Sequence, residues 1–379
     1  MKFAQRLSAI DISGIRKMFE LAKRGDVVNL ALGEPDFGIP PASKEAIVSG
    51  LERDFTHYTP NKGIAELREA IAEKLRRENR IDASAEDIIV TSGASEALHI
   101  AILALVEPQD EVLVPDPGFV SYSPLVRLAG GVPVSYRLSE ESGFEPGLEE
   151  LEAKLSRRTK LIIVNSPGNP TGAVFSRQTV RGIAKLAESE GIPLLSDEVY
   201  ERIIYEGEHH SFARYCAETI TVNGFSKSYA MTGLRLGYVH APGEAIEEML
   251  KIHQYVQAST VSLSQLAALA ALEQGEGHVR EMVARFKKRR DLIMREISEL
   301  PEVTCTVPKG AFYAFPNFSR YGSSGELAMA LLEQAKVVVT PGTAFGDAGE
   351  GYLRLSFATS EENITEGMRR IKEYLDAQG

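Results

Sequence analysis

The most constraining feature of this sequence is an alternation of short apolar runs with helical segments between residues 88 and 196. Continuous apolar runs of this length are typical of strands that are covered on both faces. Strands that alternate with helices pair in parallel through right-handed crossovers, so the pattern predicts an α/β domain with helices on both faces of a mainly parallel sheet. The predicted strands are 88–91, 111–115, 132–136, 160–164 and 193–196, and the intervening helices are 94–106, 120–129, 146–156 and 176–189.

The chain on either side of this alternation has other patterns. Before it we predict a helix from Ser13 to Lys23, a strand at 27–32, and helices at 41–53 and 64–79. After it we predict a strand at 219–222, ended by Asn223-Gly224, and helices at 244–257, 262–273 and 277–300. Strands at 303–307, 312–315, 337–340 and 352–357, with helices at 324–335 and 361–377, then predict a smaller α+β domain. The expected divisions are an N-terminal arm that joins the small domain (1–35), a large domain (36–276) and a C-terminal small domain (277–379).

Charge and cysteine content exclude several classes of function. A formal net charge of −11 disfavours a nucleic-acid partner, which needs a basic face. Cys216 and Cys305 are far apart and show no metal-ligand spacing, so we expect no bound metal, no disulfide framework and a reducing, cytoplasmic setting. No export signal and no apolar stretch of about eighteen residues is visible, so no membrane partner is expected.

Polar motifs follow four of the predicted strands. In open α/β sheets, ligands bind in the crevice outside the carboxyl ends of the strands. We therefore expect the four motifs to lie close together. They are 92–95 (SGAS), 165–172 (NSPGNPTG), 196–200 (SDEVY) and the stretch 221–237, which contains Lys227 and Arg235.

Two of these motifs predict an anion site. In 92–95, small residues let backbone N–H groups at the start of a helix point at an anion, and the helix dipole favours negative charge there. Arg235 lies between Gly233 and Gly237, small neighbours that let a phosphate approach its planar guanidinium group. An ordinary turn glycine at Gly93 is the alternative.

Lys227 and Asp197 predict carbonyl chemistry. A lysine just beyond a buried strand can lose its proton near neutral pH, because desolvation disfavours the ammonium, and can then attack a carbonyl. Asp197 ends an apolar strand, and a buried carboxylate needs a partner, such as a protonated heterocyclic nitrogen. Asn165 and Tyr200 add neutral hydrogen-bonding groups. A surface lysine, a helix N-cap at Asp197 and a turn-capping Asn165 are the alternatives, but a phosphorylated pyridine aldehyde uses all of these groups.

The motifs SGAS, NSPGNPTG, SDEVY, FSK and TGLRLG, followed by Arg354 in YLRLSFA, resemble those of the class I and II aminotransferases, which are pyridoxal-phosphate enzymes of fold type I. The resemblance covers essentially the full chain. It implies a large domain with a mainly parallel seven-stranded sheet, a smaller α+β domain, pyridoxal 5′-phosphate as cofactor, and a homodimer. The implied reaction is ping-pong transfer of an amino group from an L-amino acid to a 2-oxo acid such as 2-oxoglutarate.

The resemblance also implies roles for individual residues. Lys227 attaches to the cofactor aldehyde and later moves the proton at the substrate Cα, and Asp197 keeps the ring nitrogen protonated. Asn165 and Tyr200 hydrogen-bond the phenolic oxygen. The implied ring contact is Phe119. The implied phosphate contacts are Arg235, Gly93, Ala94, Ser95 and Ser226, together with Tyr58 from a second copy of the chain. The implied substrate contacts are Arg354, Gly33, Phe119 and Asn165.

The choice of substrate is less tightly implied. Ser95 stands where several bacterial-type aspartate aminotransferases carry a lysine that helps to bind the side-chain carboxylate. This departure predicts that the enzyme accepts aromatic or a broad range of amino acids as amino-group donors, at least as well as it accepts aspartate. A pyridoxal-phosphate C–S β-lyase would carry the same Lys227, Asp197 and Arg235 and is the main alternative. A cofactor-binding regulator without catalysis is a remote one, since the roughly 35 residues before the core pattern are too few for a DNA-reading module.

Overall fold

The computed structural model describes residues 1–10 and 26–378. The helix predicted from Ser13 to Lys23 lies outside the described residues. The described strands are β1 (Val28–Asn29), β2 (Ile88–Thr91), β3 (Glu111–Asp116), β4 (Val132–Arg137), β5 (Thr159–Asn165), β6 (Leu194–Asp197), β7 (Thr219–Gly224), β8 (Gly237–His240), β9 (Tyr313–Ala314), β10 (Val337–Val338), β11 (Thr340–Pro341) and β12 (Leu353–Ser356).

The helices of the described chain account for most of the remaining predicted elements, with ends that shift by one or two residues. They are α1 (Pro41–Glu52), α2 (Ala65–Lys74), α3 (Ala94–Leu105), α4 (Tyr122–Leu128), α5 (Leu148–Lys154), α6 (Arg177–Glu190), α7 (Phe225–Ser228), α8 (Gly243–Val256), α9 (Ser262–Gln274), α10 (Glu276–Ser298), α11 (Ser324–Ala330) and α12 (Glu361–Asp376). Short π-helical turns, Leu75–Asn79 and Leu331–Ala335, extend α2 and α11. No helix in the described part of the chain is long and apolar enough to cross a membrane.

Seven strands form the main sheet, in the order β2-β8-β7-β6-β5-β3-β4. β8 runs antiparallel to β2 and β7, and the other pairings are parallel. The central strands β5 and β6 are buried almost throughout, because helices cover both faces of the sheet. The predicted mainly parallel α/β sheet is therefore confirmed, and the carboxyl ends of β5, β6 and β7 lie side by side.

One strand was not predicted, and it changes the end of another. β8 pairs with β7 through Asn223 opposite Tyr238 and Gly224 opposite Gly237, so β7 continues to Gly224. The prediction that Asn223-Gly224 ends the strand at residue 222 is therefore wrong. The antiparallel neighbour supplies hydrogen bonds that outweigh the turn preference of an Asn-Gly pair.

A second layer of strands combines the two ends of the chain. β1 pairs in parallel with β10, and β11-β12-β9 form an antiparallel sheet. Leu30 joins the two, because its N–H donates to Val338 O at 2.9 Å and its carbonyl accepts from Ser356 N at 2.6 Å. Residues 28–31 share a hydrophobic core with residues of the C-terminal third. The three-domain division at 35/36 and 276/277 stays a prediction.

The strands predicted in this layer needed correction. The segment 303–307 is not a strand, because its one β-bridge to the rest of the described chain is that of Thr304 with Asn317. Pro316, next to Asn317, has no N–H with which to extend that pairing. The predicted strand 337–340 is divided, since Val337 and Val338 pair with β1 whereas Thr340 pairs with Arg354 in β12.

Candidate active site

A cavity of about 340 Å³ lies at the carboxyl ends of β5, β6 and β7, where the main sheet meets the smaller strands. It is lined by eleven of the residues that the sequence singled out: Gly33, Ala94, Ser95, Phe119, Asn165, Asp197, Tyr200, Ser226, Lys227, Arg235 and Arg354. Gly93 lies behind Arg235. Tyr58 does not line the cavity, and its side chain is 88% exposed.

Lys227 projects into this cavity from α7, the single helical turn that follows β7. Its Nζ donates a hydrogen bond to Gly33 O at 2.8 Å. Burial lowers the pKa of Lys227 to about 8, because the ammonium loses its hydration. The positive charges of Arg354 and Arg235 lower this pKa further, while Glu34 and Asp197 oppose the shift. About a tenth of the amine is therefore neutral at pH 7, far more than for an ordinary lysine.

Asp197 is the last residue of β6 and is buried, with 3% of its surface exposed. Its Oδ2 accepts a hydrogen bond from the Tyr122 hydroxyl at 2.8 Å, and its Oδ1 accepts one from Val199 N at 3.3 Å. Burial raises the pKa of Asp197 to about 6, against the opposing hydrogen bonds from Tyr122 and Val199. A turn, not a helix, follows Asp197, so the alternative of a helix N-cap does not apply.

Gly93, α3 and Arg235 form a compact cradle. Gly93 precedes α3 with φ of 79°, and the first N–H groups of a helix have no partner within the helix. A Cβ at Gly93 would lie 2.6 Å from Nη2 of Arg235, so only glycine leaves the guanidinium this place beside the helix start. Arg235 itself has a left-handed backbone, with φ of 50°, and donates from Nη1 to Thr232 O at 3.0 Å.

Arg354 lies on β12, lines the same cavity and is only 1% exposed. Its Nη1 donates to Asn169 Oδ1 at 3.0 Å, and its Nη2 donates to Ala31 O at 2.6 Å. Nε is buried with no hydrogen-bond partner in residues 1–10 and 26–378, and no carboxylate pairs with this guanidinium there. Desolvation lowers the pKa of Arg354. The group is thus a buried cation that only neutral acceptors hold.

Asn165 and Tyr200 have protein partners within the site. Asn165 Nδ2 donates to Asp197 O at 2.9 Å, and Asn165 Oδ1 accepts from Asn169 N at 3.0 Å. Asn165 therefore also holds the 165–172 loop, as its turn-capping alternative expects. The Tyr200 hydroxyl lies 2.8 Å from the Tyr313 hydroxyl, and burial raises the pKa of Tyr200.

Sequence reasoning missed three residues of this site. Tyr122, which contacts Asp197, follows Phe119 by three residues, and this helical spacing could have placed both at one site. Asn169, which contacts Arg354, was part of the 165–172 motif without a role. Tyr313 contacts both Tyr200 and Arg354, and no local pattern distinguishes it from the core aromatics around it.

The comparisons with known proteins agree with this geometry. Residues 25–371 match the family model described as aminotransferase class I and II. The chain belongs to this family. It is 45% identical to the aspartate aminotransferase of Pyrococcus horikoshii, over 99% of this chain and 97% of that protein. It is 42% identical to the aromatic-amino-acid aminotransferase 2 of Thermococcus litoralis, over 99% and 98% respectively.

A solved structure of the Thermus thermophilus aspartate aminotransferase with maleate superposes with a TM-score of 0.95, at 40% identity, and covers 99% of this chain and 100% of that one. The predictions of a fold-type I architecture and of an amino-group-transferring enzyme are confirmed. The aminotransferase depends on pyridoxal 5′-phosphate, as its family does. The residues present fit that cofactor, because the Gly93–Arg235 cradle suits a phosphate and the unpaired Nε of Arg354 suits a substrate carboxylate.

Proposed function

We propose that Lys227, Asp197 and Tyr200 carry the chemistry of this aminotransferase. The observation that supports the proposal is the convergence on one cavity of Lys227 from α7, Asp197 from the end of β6 and Arg235 from the segment before β8. Bound pyridoxal phosphate supplies an aldehyde that receives the amino group and a ring that withdraws electrons from the substrate Cα. The protein has to hold that ring, orient the substrate, and move one proton.

Lys227 is the group that moves the proton. Because its pKa is lowered to about 8, its neutral amine would be available both to bind the cofactor aldehyde and to act as a base towards the substrate. In the second role, Nζ takes the proton from the substrate Cα. The hydrogen bond to Gly33 O limits where Nζ can lie, and Gly33 belongs to the segment after β1 that also contacts Arg354 through Ala31.

Asp197 holds the ring nitrogen in its protonated form. A cationic partner lowers the pKa of a carboxyl group, so pairing with that nitrogen offsets the cost of burying the Asp197 carboxylate. The Tyr122 hydroxyl fixes Oδ2 and thereby the orientation of the carboxylate. Phe119 would offer an apolar face for the ring, and Tyr200 and Asn165, which line the same cavity, would contact its phenolic oxygen.

Arg235 and the start of α3 bind the phosphate. The proposed contacts are the guanidinium of Arg235, the backbone at Gly93 and Ala94, and the hydroxyl groups of Ser95 and Ser226. The helix dipole at the N-terminus of α3 adds to this attraction. In the same cavity, Arg354 binds the α-carboxylate of the substrate in its planar fork, with the Gly33 backbone beside it.

An aromatic or apolar amino acid is, we infer, at least as good a donor as aspartate. The cations that line the cavity among the described residues are Lys227, Arg235 and Arg354, and each has one of the roles above. No described cation therefore remains for a side-chain carboxylate, and Glu34 adds a negative charge to the lining. The apolar side chains of Leu32, Leu98 and Val199 also line the cavity.

A panel of donors with 2-oxoglutarate as acceptor tests this specificity. Steady-state kcat/KM for L-tyrosine and L-leucine should equal or exceed that for L-aspartate, and Glu34→Gln should raise the value for aspartate without raising that for leucine. A preference for aspartate on the order of a hundredfold would contradict the proposed specificity. Release of pyruvate and ammonia from a cysteine conjugate without a 2-oxo acid would indicate the β-lyase alternative.

A homodimer is part of the proposal. Large apolar side chains are exposed on neighbouring segments around α1, the 55–63 loop and the α8–α9 connection: Val48, Leu51, Tyr58, Tyr255, Val256 and Val261. The loop and the connection are tied together, because Asn61 Nδ2 donates to Ala258 O at 2.8 Å. A second copy would cover this face, and its Tyr58 would complete the phosphate site. The two free cysteines support a cytoplasmic location.

A further inference from the structure

Tyr313 lies between two groups to which we assign different tasks. Its hydroxyl oxygen is 2.8 Å from that of Tyr200, and its ring lies under the guanidinium of Arg354, with Cζ 4.3 Å from the ring centroid. All three side chains are almost completely buried and line the same cavity. The backbone register fixes this position, because Tyr313 pairs with Ser356 in β12, two residues after Arg354.

Counting the available hydrogens shows which of the two hydroxyl groups donates the hydrogen bond. A tyrosine hydroxyl has one hydrogen to donate. Among the described residues, Tyr200 is the hydrogen-bond partner of the Tyr313 hydroxyl, so a Tyr313 that accepted from Tyr200 would leave its own hydrogen buried without an acceptor. If Tyr313 donates instead, the hydrogen of Tyr200 is free to point into the cavity, where Tyr200 has its proposed ligand.

The ring of Tyr313, unlike its hydroxyl, contacts Arg354. Arg354 contacts a second aromatic ring as well, since its Cζ also lies 4.9 Å from the centroid of Phe345. A guanidinium that packs on aromatic rings through its face keeps the edge of its plane, which bears the N–H groups, for a carboxylate. Gly33 permits this packing, because a Cβ there would lie 2.4 Å from the Tyr313 hydroxyl, a distance that clashes.

We propose that Tyr313 is a positioning residue with two separable parts: its hydroxyl directs the hydrogen of Tyr200 towards the cofactor's phenolic oxygen, and its ring orients Arg354 for the substrate carboxylate. The inference rests on the proposed roles of Tyr200 and Arg354. It joins cofactor tuning and carboxylate binding through a single side chain.

The hydroxyl part is tested on the holoenzyme by absorbance, without turnover. The readout is the pH at which the absorption band of the bound cofactor changes, measured for wild type, Tyr200→Phe, Tyr313→Phe and the double variant. Losing a donor to an anionic oxygen raises that midpoint. Tyr313→Phe should raise it by about half a pH unit, Tyr200→Phe should raise it more, and the double variant should match Tyr200→Phe, because Tyr313 acts through Tyr200.

The groups that face this pair also titrate, so a control is needed. The charged or titratable neighbours of Tyr200 and Tyr313 are Asp197 and Arg354. Tyr205→Phe removes another buried phenol hydroxyl, one that donates to Ala311 O at 2.5 Å outside the cavity, and it should leave the midpoint unchanged. A wild-type midpoint in Tyr313→Phe, or an effect that adds fully to that of Tyr200→Phe, would overturn the hydroxyl part.

The ring part is tested by separating KM from kcat for the donor that the panel identifies as best. Tyr313→Phe keeps the ring and should leave KM within about twofold of wild type, whereas Tyr313→Leu should raise KM by about tenfold or more. Equal KM values for the two variants would overturn it. If the proposed function itself were wrong, wild type would take up no pyridoxal phosphate and show no transamination, an outcome distinct from either result.

Discussion

The two arginines that face the cavity are built in opposite ways. Arg235 is exposed, has a left-handed backbone conformation, and donates to the backbone carbonyl of Thr232. Arg354 is 1% exposed and contacts the rings of Tyr313 and Phe345, and its N–H groups donate to neutral acceptors. One belongs to the loops of the main sheet, and the other belongs to the smaller antiparallel sheet.

This difference shows how one cavity can treat two anions differently. Water hydrates Arg235, so an anion there depends on help from the N-terminus of α3. Arg354 has already lost its hydration during folding, and a carboxylate that reaches it gains a charge-assisted hydrogen bond in a medium of low dielectric constant. We call the part of the cavity around Arg235 and the start of α3 the Arg235 half, and the part around Arg354 the Arg354 half. We expect the Arg235 half to retain the cofactor through many small contacts and the Arg354 half to select the substrate through one strong contact. Lys227 joins the halves through its bond to Gly33.

Removing the joining residue should have the largest effect. Lys227→Ala should lower transaminase turnover by about four orders of magnitude or more, because no other group supplies the amine and the base. Noncovalent binding of pyridoxal phosphate should persist, since the Arg235 half is intact. Turnover and equilibrium binding of the cofactor are the two measurements. Residual turnover above about one per cent of wild type would show that another base shares the role.

Replacing each arginine separately tests directly whether one half binds the cofactor and the other half binds the substrate. Arg354→Met should lower kcat/KM for the donor by about a hundredfold to a thousandfold and leave cofactor affinity unchanged, because only the carboxylate contact is lost. Its thermal stability should not fall, since the variant removes a buried cation without a carboxylate partner. Arg235→Met is the matched control and should weaken cofactor binding by at least about tenfold. The same defect in both variants would break the comparison.

The pH dependence of cofactor attachment should sharpen the comparison. Only the neutral amine of Lys227 attacks, and its lowered pKa of about 8 means that the second-order rate with apoenzyme rises about tenfold per pH unit below 8 and levels off above it. Arg354 contributes to lowering this pKa, so Arg354→Met should move the midpoint upward. Stopped-flow absorbance measures both. A wild-type midpoint above pH 10 would mean that the amine is not desolvated as described.

The smallest expected effect belongs to Tyr58. Tyr58→Phe should weaken cofactor binding by roughly fivefold through the loss of one hydrogen bond to the phosphate from the second copy. Tyr255→Phe, at an equally exposed position, is the matched control and should have no effect on cofactor binding. Sedimentation of the wild type should give a dimer. A monomer with undiminished cofactor affinity would contradict the proposal that the Arg235 half is completed by a partner.

The sequence by itself determined the main sheet and most of the Arg235 half of the cavity. Continuous apolar runs specify buried parallel strands locally, and parallel strands bring their carboxyl ends to one edge, so the amino-acid pattern alone places Asp197 and Lys227 together. Motif order then identified the family. The missed β8 shows the limit, because its pairing with Asn223 and Gly224 extends β7 through an Asn-Gly pair that the sequence alone indicates as a turn.

Only the tertiary structure decided which residues surround Arg354 in the Arg354 half of the cavity. The contacts of Tyr313 with Tyr200 and Arg354, and the bond from Arg354 to Ala31, join residues that are more than forty positions apart in the chain. They exist because Leu30 connects two small sheets and because the β9–β12 register sets Tyr313 opposite Ser356. Local hydrophobic patterns determine which residues form strands, but the pairing of short strands depends on the whole core that packs against them.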